Sequence, residues 1–525
     1  MFIYLITVIA FLALSITYLK IALHNFQQNR YEFERYTKWL MQAKNYRIKY
    51  YFIYVVLAFV ADAIYRFLLE RNDGIVLVIL TIIFAIYLLQ IESKKNYIKP
   101  LVYTARVKRQ IACIAILDIL SVALLSLVFK KNLFMLSVLV PILSWILVYP
   151  MALITLPIEN YIKKQFENEA RNILSGMPFL TKVGITGSFG KTSTKNIVEN
   201  ILGESYYTLM TPASFNTPMG ITRTVREYLK PIHEVFVVEM GADHVNDIKY
   251  LMDFVKPQYG IVTSIGPQHL NTFHSLENII NEKMQMIEML PTDGLGVINL
   301  DNEYIANYKI KNNVKVVSVG IKNQEADFVA YDINYHLEGS SFKVKHLDEV
   351  YEFDTCLLGE HNIMNILTGI ALAYHMGISL DKIKTSVSKI RRIEHRLELK
   401  KINGFTFIDN AFNSNPVGCK LSLDVISQMN PRRVIVTPGL IDLGDKEYTY
   451  NKEFGAYMKG RVDDVILVGR LQTKAIVDGL KESGFDEAHI IVKDTVKEAF
   501  AYIYQNFTYS DTILLENDLP DAFSK

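Results

Sequence analysis

The hydrophobic pattern divides the chain near residue 157. Before it, apolar residues gather into continuous runs near Phe2–Leu23, Tyr51–Leu69, Ile75–Ile91, Ile111–Phe129 and Leu133–Leu156. Each approaches the roughly 20 residues that a membrane-spanning helix needs. The first run lacks the basic start of a signal peptide, and further runs follow it, so all five read as spans. After residue 157 short apolar segments alternate with amphipathic stretches. Val235–Glu239, Tyr259–Ser264, Leu295–Leu300, Thr406–Ile408, Arg433–Thr437 and Val465–Val468 read as strands with helices between them, a pattern that predicts parallel α/β sheets. The expected organisation is an all-α transmembrane domain (1–157), a central α/β domain (158–390) and a C-terminal α/β domain (391–525).

Charge orients the runs. Arg30, Arg35, Lys38, Lys44, Arg47 and Lys49 lie between the first two, and Lys94, Lys95, Lys99, Arg106, Lys108 and Arg109 follow the third. Basic loops stay cytoplasmic. Counting crossings from them puts the N-terminus outside and everything after Leu156 in the cytoplasm. A net charge of +2 over 525 residues argues against a nucleic-acid footprint on the whole chain. Cys113, Cys356 and Cys419 are too scattered for a metal site or a disulfide framework. Asp62 and Arg66 sit one helical turn apart in the second run and are expected to pair with each other. Asp118, in the fourth run, is a costly intramembrane charge of a kind that is often functional, and five spans exceed what anchoring needs, which suggests that they hold a lipid or a partner.

The chemistry begins at Gly184-Ile-Thr-Gly-Ser-Phe-Gly-Lys-Thr-Ser193. A strand-like run enters this stretch and a helical segment, Thr194 to Leu202, leaves it. Gly187, Ser188, Gly190 and Ser193 frame a backbone nest for phosphate oxygens. Lys191 is placed to reach the β- and γ-phosphates, and Thr192 to hold Mg²⁺. The leading glycine stands one residue earlier than the usual phosphate-loop pattern requires. Glu239 ends a predicted strand, at the edge of an open α/β sheet where ligands bind, and a carboxylate there suits Mg²⁺. His269 follows the next strand, and Lys283 lies in the helical stretch after it.

Together these residues resemble the Mur ligase family, the ATP-dependent amide-forming enzymes of bacterial cell-wall precursor synthesis. The resemblance covers about residues 180–450 and is nearest to the branch that adds D-alanyl-D-alanine. It implies an α/β fold, a central phosphate-loop ATP-binding domain followed by a Rossmann-like C-terminal domain. It also implies a reaction in which ATP converts a carboxylate to an acyl phosphate that an amine then attacks. Lys191, Glu239, His269 and Lys283 match the catalytic set. Thr192, Glu239, His269 and Lys283 match the ligands of two Mg²⁺ ions, with Lys283 carbamylated. Asn362, Asn365, Arg396 and Asp409 match nucleotide contacts, although His361 and Asn362 also read as a helix cap and Asp409 as a turn residue. Ser214, Asn216 and Thr217 match the acceptor-side loop. Asn413 and Asn415, within Asp409–Pro416, match the amine site.

The chain departs from the family in two places. Soluble relatives that use UDP-linked sugars carry a UDP-binding domain ahead of the phosphate loop. Here the membrane runs stand in that place, with about 25 residues between them and the loop, fewer than a domain needs. The expected acceptor is therefore a cell-wall precursor with a free carboxylate, linked to lipid. The amine is expected to be an amino acid or a dipeptide, the other partner membrane lipid, and the setting the cell membrane, multi-pass, with the catalytic domains cytoplasmic. Second, Thr512–Pro520 is acidic where relatives of this branch place Lys-Gly-Ser. The competing readings are a capsule-type polyglutamate ligase and an ATP-binding membrane scaffold without catalysis.

Overall fold

The computed structural model describes the chain apart from residues 1, 30, 42–45, 68–74, 94–99, 130–132, 269, 337–338, 393–394, 396, 412–415, 430–431, 442, 444–445, 471–472 and 518–525. The described chain forms two compact units, 1–165 and 166–525.

The first unit is helical. Phe2–Gln28, Phe33–Leu40, Tyr46–Phe67, Ile75–Ser93, Ala105–Val128, Leu133–Ile146 and the start of Val148–Ser175 account for it. Tyr18, Phe26, Tyr36 and Tyr54 are buried in its core, while Ile116, Leu120 and Leu124 on the helix Ala105–Val128 stay exposed, as lipid-facing positions would. Among the described residues four stretches are long and apolar enough to cross a membrane: Val8–Gln28, Ile75–Ser93, Ala105–Val128 and Phe134–Ser175. The second expected span forms the helix Tyr46–Phe67, within which Tyr50–Ile64 is an apolar stretch. Asp62 and Arg66 do pair, at 3.0 Å. Asp118 is buried and accepts a hydrogen bond from the Ser15 hydroxyl at 2.5 Å.

The second unit holds two sheets. The first has strands β1 (Thr181–Thr186), β2 (Thr208–Met210), β3 (Val235–Glu239), β4 (Tyr259–Val262), β5 (Leu295–Asn299), β6 (Lys315–Gly320), β7 (Phe328–His336), β8 (Gly339–His346) and β9 (Glu349–Thr355), in the order β2-β3-β1-β4-β5-β6-β7-β8-β9. It is parallel from β2 to β7 and antiparallel from there to β9. The second sheet has β10 (Glu398–Ile402), β11 (Phe405–Asn410), β12 (Arg433–Thr437), β13 (Asp464–Val468), β14 (Ile490–Lys493) and β15 (Thr512–Glu516), in the order β10-β11-β15-β12-β13-β14. Only β10 runs antiparallel to its neighbour. The strands read from sequence are all present. Those between Phe328 and Thr355 are hidden in the sequence because most of their side chains alternate in burial instead of forming a buried apolar run.

One packing device brings a site element into place. Gly184, Gly260 and Gly296 lie side by side across β1, β4 and β5. A β-carbon on Gly184 would come within 2.9 Å of the Met286 sulfur, and one on Gly296 within 2.9 Å of Ile287. The glycine row lets the helix Leu276–Glu288 press against the sheet, and that helix carries Lys283. The leading glycine of the phosphate-loop pattern thus serves helix packing.

Candidate active site

β1 ends at Thr186, and the helix Lys191–Gly203 starts directly after the loop, three residues earlier than the sequence suggested. Gly190 caps it with φ 82°, and Gly187 has φ 152°. A β-carbon on Gly187 would lie 2.1 Å from Thr263 Oγ1, so no other residue fits there. The loop is fastened to the segment after β4. The Ser188 amide donates to the Ser264 carbonyl at 2.7 Å, the Ser188 hydroxyl to the Gly266 carbonyl at 3.0 Å, and the Thr263 hydroxyl to the Phe189 carbonyl at 2.5 Å. A glycine-bearing turn opening a helix is a preformed anion cradle. Lys191 folds back over it, its ammonium donating to the carbonyls of Gly187 and Ser188 at 2.6 and 3.1 Å.

Glu239, at the end of β3, is 1% exposed. Its Oε1 accepts from the Thr192 hydroxyl at 3.2 Å and from the Asn216 amide at 3.0 Å. Its Oε2 faces the Lys195 ammonium at 3.1 Å. Lys195, buried as deeply, was not singled out in the sequence, because a lysine one turn into a helix has no spacing relation to a glutamate on a distant strand. Burial lowers its pKa and the adjacent Glu239 opposes that shift. Glu239 and Thr192 together offer oxygen donors of the kind Mg²⁺ prefers. Among the described residues no group of three or more His, Cys, Asp or Glu side chains gathers around a point. His269 lies outside those residues.

Lys283 is buried and approaches the Ala242 carbonyl, just beyond Glu239, at 3.4 Å. Burial, reinforced by the nearby Lys191 charge, pushes its amine down to about 7. Asn365 is buried and accepts from the Thr194 hydroxyl at 3.0 Å, so the helix Glu360–His375 meets the helix that follows the phosphate loop. Asn362 is fully buried. Its amide donates to the Leu358 carbonyl at 2.8 Å, while its Oδ1 has no partner among the described residues. A buried orphan oxygen of this kind leaves an acceptor open to a water or a ligand donor. The cap of this helix is Gly359, with no side-chain bond, so the capping reading of His361 and Asn362 fails.

The other expected site residues fall as follows. Thr217 is the cap of the helix Pro218–Glu227, its hydroxyl accepting from the Gly220 amide at 3.3 Å. Asn216 reaches Glu239 as described, and the Ser214 carbonyl accepts from the Asn216 amide N–H at 2.8 Å. Ser193 is buried in the first turn of its helix. Asp409, at the end of β11, accepts from Lys400 at 2.7 Å, from His395 at 2.8 Å and from the Ala411 amide at 3.1 Å. Burial alone would raise its pKa, but these donors, led by Lys400, bring it below the usual carboxylate value. The Ala411 bond is the turn expected of an aspartate; the Lys400 and His395 contacts have no local sequence signal. Arg396, Asn413 and Asn415 lie outside the described residues. In the acidic tail, Glu516 is fully buried at the end of β15 and accepts from Asn410 at 2.9 Å and Ser422 at 2.5 Å.

Comparison with known proteins identifies the two domains of the second unit. The Mur ligase middle domain matches residues 185–373, and the Mur ligase glutamate ligase domain matches residues 395–516. The UDP-N-acetylmuramoyl-tripeptide–D-alanyl-D-alanine ligase of Bacillus subtilis is 28% identical over 338 residues, 64% of this chain and 72% of that protein. The crystal structure of MurF from Acinetobacter baumannii superposes with a TM-score of 0.61 at 22% identity, over 69% of this chain and 78% of that one. MurF from Thermotoga maritima in complex with ADP also gives 0.61, at 20% identity over 68% and 80%. The chain therefore belongs to the Mur ligase family of ATP-dependent amide ligases, carrying its middle and C-terminal domains behind a helical unit rich in apolar helices.

Proposed function

We propose that this protein is a membrane-bound ligase that activates the free carboxylate of a cell-wall precursor and joins it to the amine of an amino acid or a D-alanyl-D-alanine-like dipeptide. The observation that carries the reading is the meeting, at one sheet edge, of the phosphate cradle, the Thr192–Glu239 oxygen pair and Lys283. ATP and Mg²⁺, when bound, supply the transferable phosphoryl group and the charge that screens it from an approaching carboxylate. The chain's own groups do the rest. The loop amides between Gly187 and Thr192 hold the phosphates, and Lys191 exchanges loop carbonyls for anionic oxygens. Thr192 and Glu239 offer metal ligands, and His269 belongs with them by resemblance.

Lys283 is suited to take up CO₂. A neutral amine forms the new N–C bond and releases one proton, and the resulting carbamate is anionic, so it no longer repels a cation. An amine poised near 7 is neutral often enough for this at cellular pH. Asn362, with its orphan oxygen, and Asn365 suit the nucleotide base, and Asp409 and Arg396 its ribose and phosphates. Ser214, Asn216 and Thr217 face the acceptor side, and Asn413 and Asn415 the amine.

The acceptor we assign is lipid-linked. The four apolar stretches support this, and so does a cleft of about 560 Å³ between the helices Phe2–Gln28 and Ile75–Ser93. Its walls are Ile21, Ile86, Leu89 and Leu101, with Lys20, His24 and Glu92 also lining it, and the apolar part suits an acyl or isoprenyl chain. The test is ADP release by the detergent-purified full chain, offered D-alanyl-D-alanine with a UDP-linked or a lipid-linked tripeptide. Release that needs both acid and amine and favours the lipid-linked acceptor is the expected result. Preference for the UDP-linked acceptor overturns the lipid assignment, and release without an amine overturns the ligase.

A further inference from the structure

The Lys195–Glu239 ion pair reaches beyond its two partners. Thr192 and Lys195 stand three residues apart on one helix and so share a face. Both touch Glu239, one on each carboxylate oxygen. The Lys195 ammonium also donates a short hydrogen bond to the Ala213 carbonyl. Ala213 has φ 43°, a left-handed conformation that a β-carbon resists, and Lys195 holds the carbonyl of that residue. Three residues on, Asn216 returns to Glu239. The acceptor-side loop is therefore tied to the nucleotide helix twice, by Ala213 through the ammonium and by Asn216 through the carboxylate. Glycines clamp its other side. A β-carbon on Gly241 would lie 2.8 Å from the Asn216 side chain, and one on Gly220 2.9 Å from the Phe215 backbone.

We infer that Lys195 is a positioning residue with two linked effects: it fixes the 213–217 loop against the nucleotide helix, and it competes with a divalent cation for Glu239. The competition follows from geometry. An ammonium 3.1 Å from Oε2 already neutralises the carboxylate, so an incoming Mg²⁺ ion shares that charge and meets a like charge beside it. The outcome is a metal held loosely enough to exchange and a loop that does not depend on the metal for its shape. This inference rests on Glu239 being a metal ligand as proposed above, but its test needs neither the acceptor nor the amine.

The experiment uses the detergent-purified full chain with ADP. Mg²⁺ is titrated calorimetrically, and hydrogen–deuterium exchange is followed in peptides spanning 211–218. Lys195→Met should lower the half-saturating Mg²⁺ concentration roughly tenfold, since a competing charge has gone, and speed exchange in 211–218. Lys195→Arg keeps the cation and should stay near wild type in the titration. If Lys195→Met does not fold, Lys195→Gln is read by the same two measurements. Mg²⁺ affinity that is unchanged or weaker in the neutral variant overturns the competition, and unchanged loop exchange overturns the strut. An arginine variant that behaves like the neutral one overturns the role of charge. Nucleotide-dependent Mg²⁺ binding that survives Glu239→Gln unaltered would instead remove Glu239 from the metal site, a failure of the underlying reading.

Discussion

Two carboxylates are equally hidden in this molecule and handled in opposite ways. Glu239 in the α/β unit is 1% exposed, and Asp118 in the helical unit is 2% exposed. Glu239 is met by an ammonium, a hydroxyl and an amide. Asp118 receives one hydroxyl, from Ser15, and its Oδ1 has no partner among the described residues. Burying an ionised carboxylate costs several kcal/mol unless charge and hydrogen bonds compensate it. The first site supplies a countercharge, and among the described residues the second supplies only a hydroxyl. Burial of an acid is thus a poor guide to function; the donors around it distinguish a site that manages cations from a polar group inside an apolar bundle.

The sharpest way to break this comparison is at Glu239. Glu239→Ala leaves Lys195 as a buried cation without its carboxylate, and removing one partner of such a pair costs about 3–5 kcal/mol. The expected outcome is a marked fall in the thermal midpoint together with loss of acid- and amine-dependent ADP release. A second large effect is expected at Gly187→Ala, where the added β-carbon would collide with Thr263. The cradle must shift, and ADP affinity measured by calorimetry should fall at least tenfold, about 1.4 kcal/mol.

Lys283 gives an intermediate and pH-dependent effect. Its amine is pushed down to about 7, so it is increasingly neutral above that pH and protonated below it. Carbamate formation, followed by the carbonyl signal of ¹³C-labelled bicarbonate, should rise from pH 6 to pH 8 and vanish in Lys283→Ala. Activity of that variant should recover in part with small carboxylates. Asp409→Asn weakens the hold of Lys400 and His395 and should raise the ATP KM severalfold with little change in stability. The smallest effect belongs to Asp118→Asn. An amide keeps an acceptor for Ser15, so the thermal midpoint should move by no more than a few degrees and nucleotide binding not at all. A large loss of nucleotide binding there would erase the distinction between the two acids.

Much of the α/β unit could be read from sequence because parallel strands are buried on both faces and stand out as apolar runs. Val235–Glu239 and Arg433–Thr437 were placed to the residue. The phosphate loop was legible because its function lies in a local backbone shape. Less legible was everything that depends on long-range contact. Lys195 carries no local signal, and the Lys400 and His395 contacts to Asp409 cross a hairpin and a turn. The glycine row across β1, β4 and β5 appears only when three strands are set in register. Thr217 shows the reverse, a motif residue whose visible work in the structure is to cap a helix.

The central claim is that this sheet edge activates a carboxylate by phosphoryl transfer before nitrogen attacks. It is tested most directly with an acceptor whose carboxylate carries ¹⁸O, incubated with ATP, Mg²⁺ and D-alanyl-D-alanine. One labelled oxygen should leave with the released inorganic phosphate while ADP accumulates in equal amount. Release of unlabelled phosphate, or of AMP, would contradict the account.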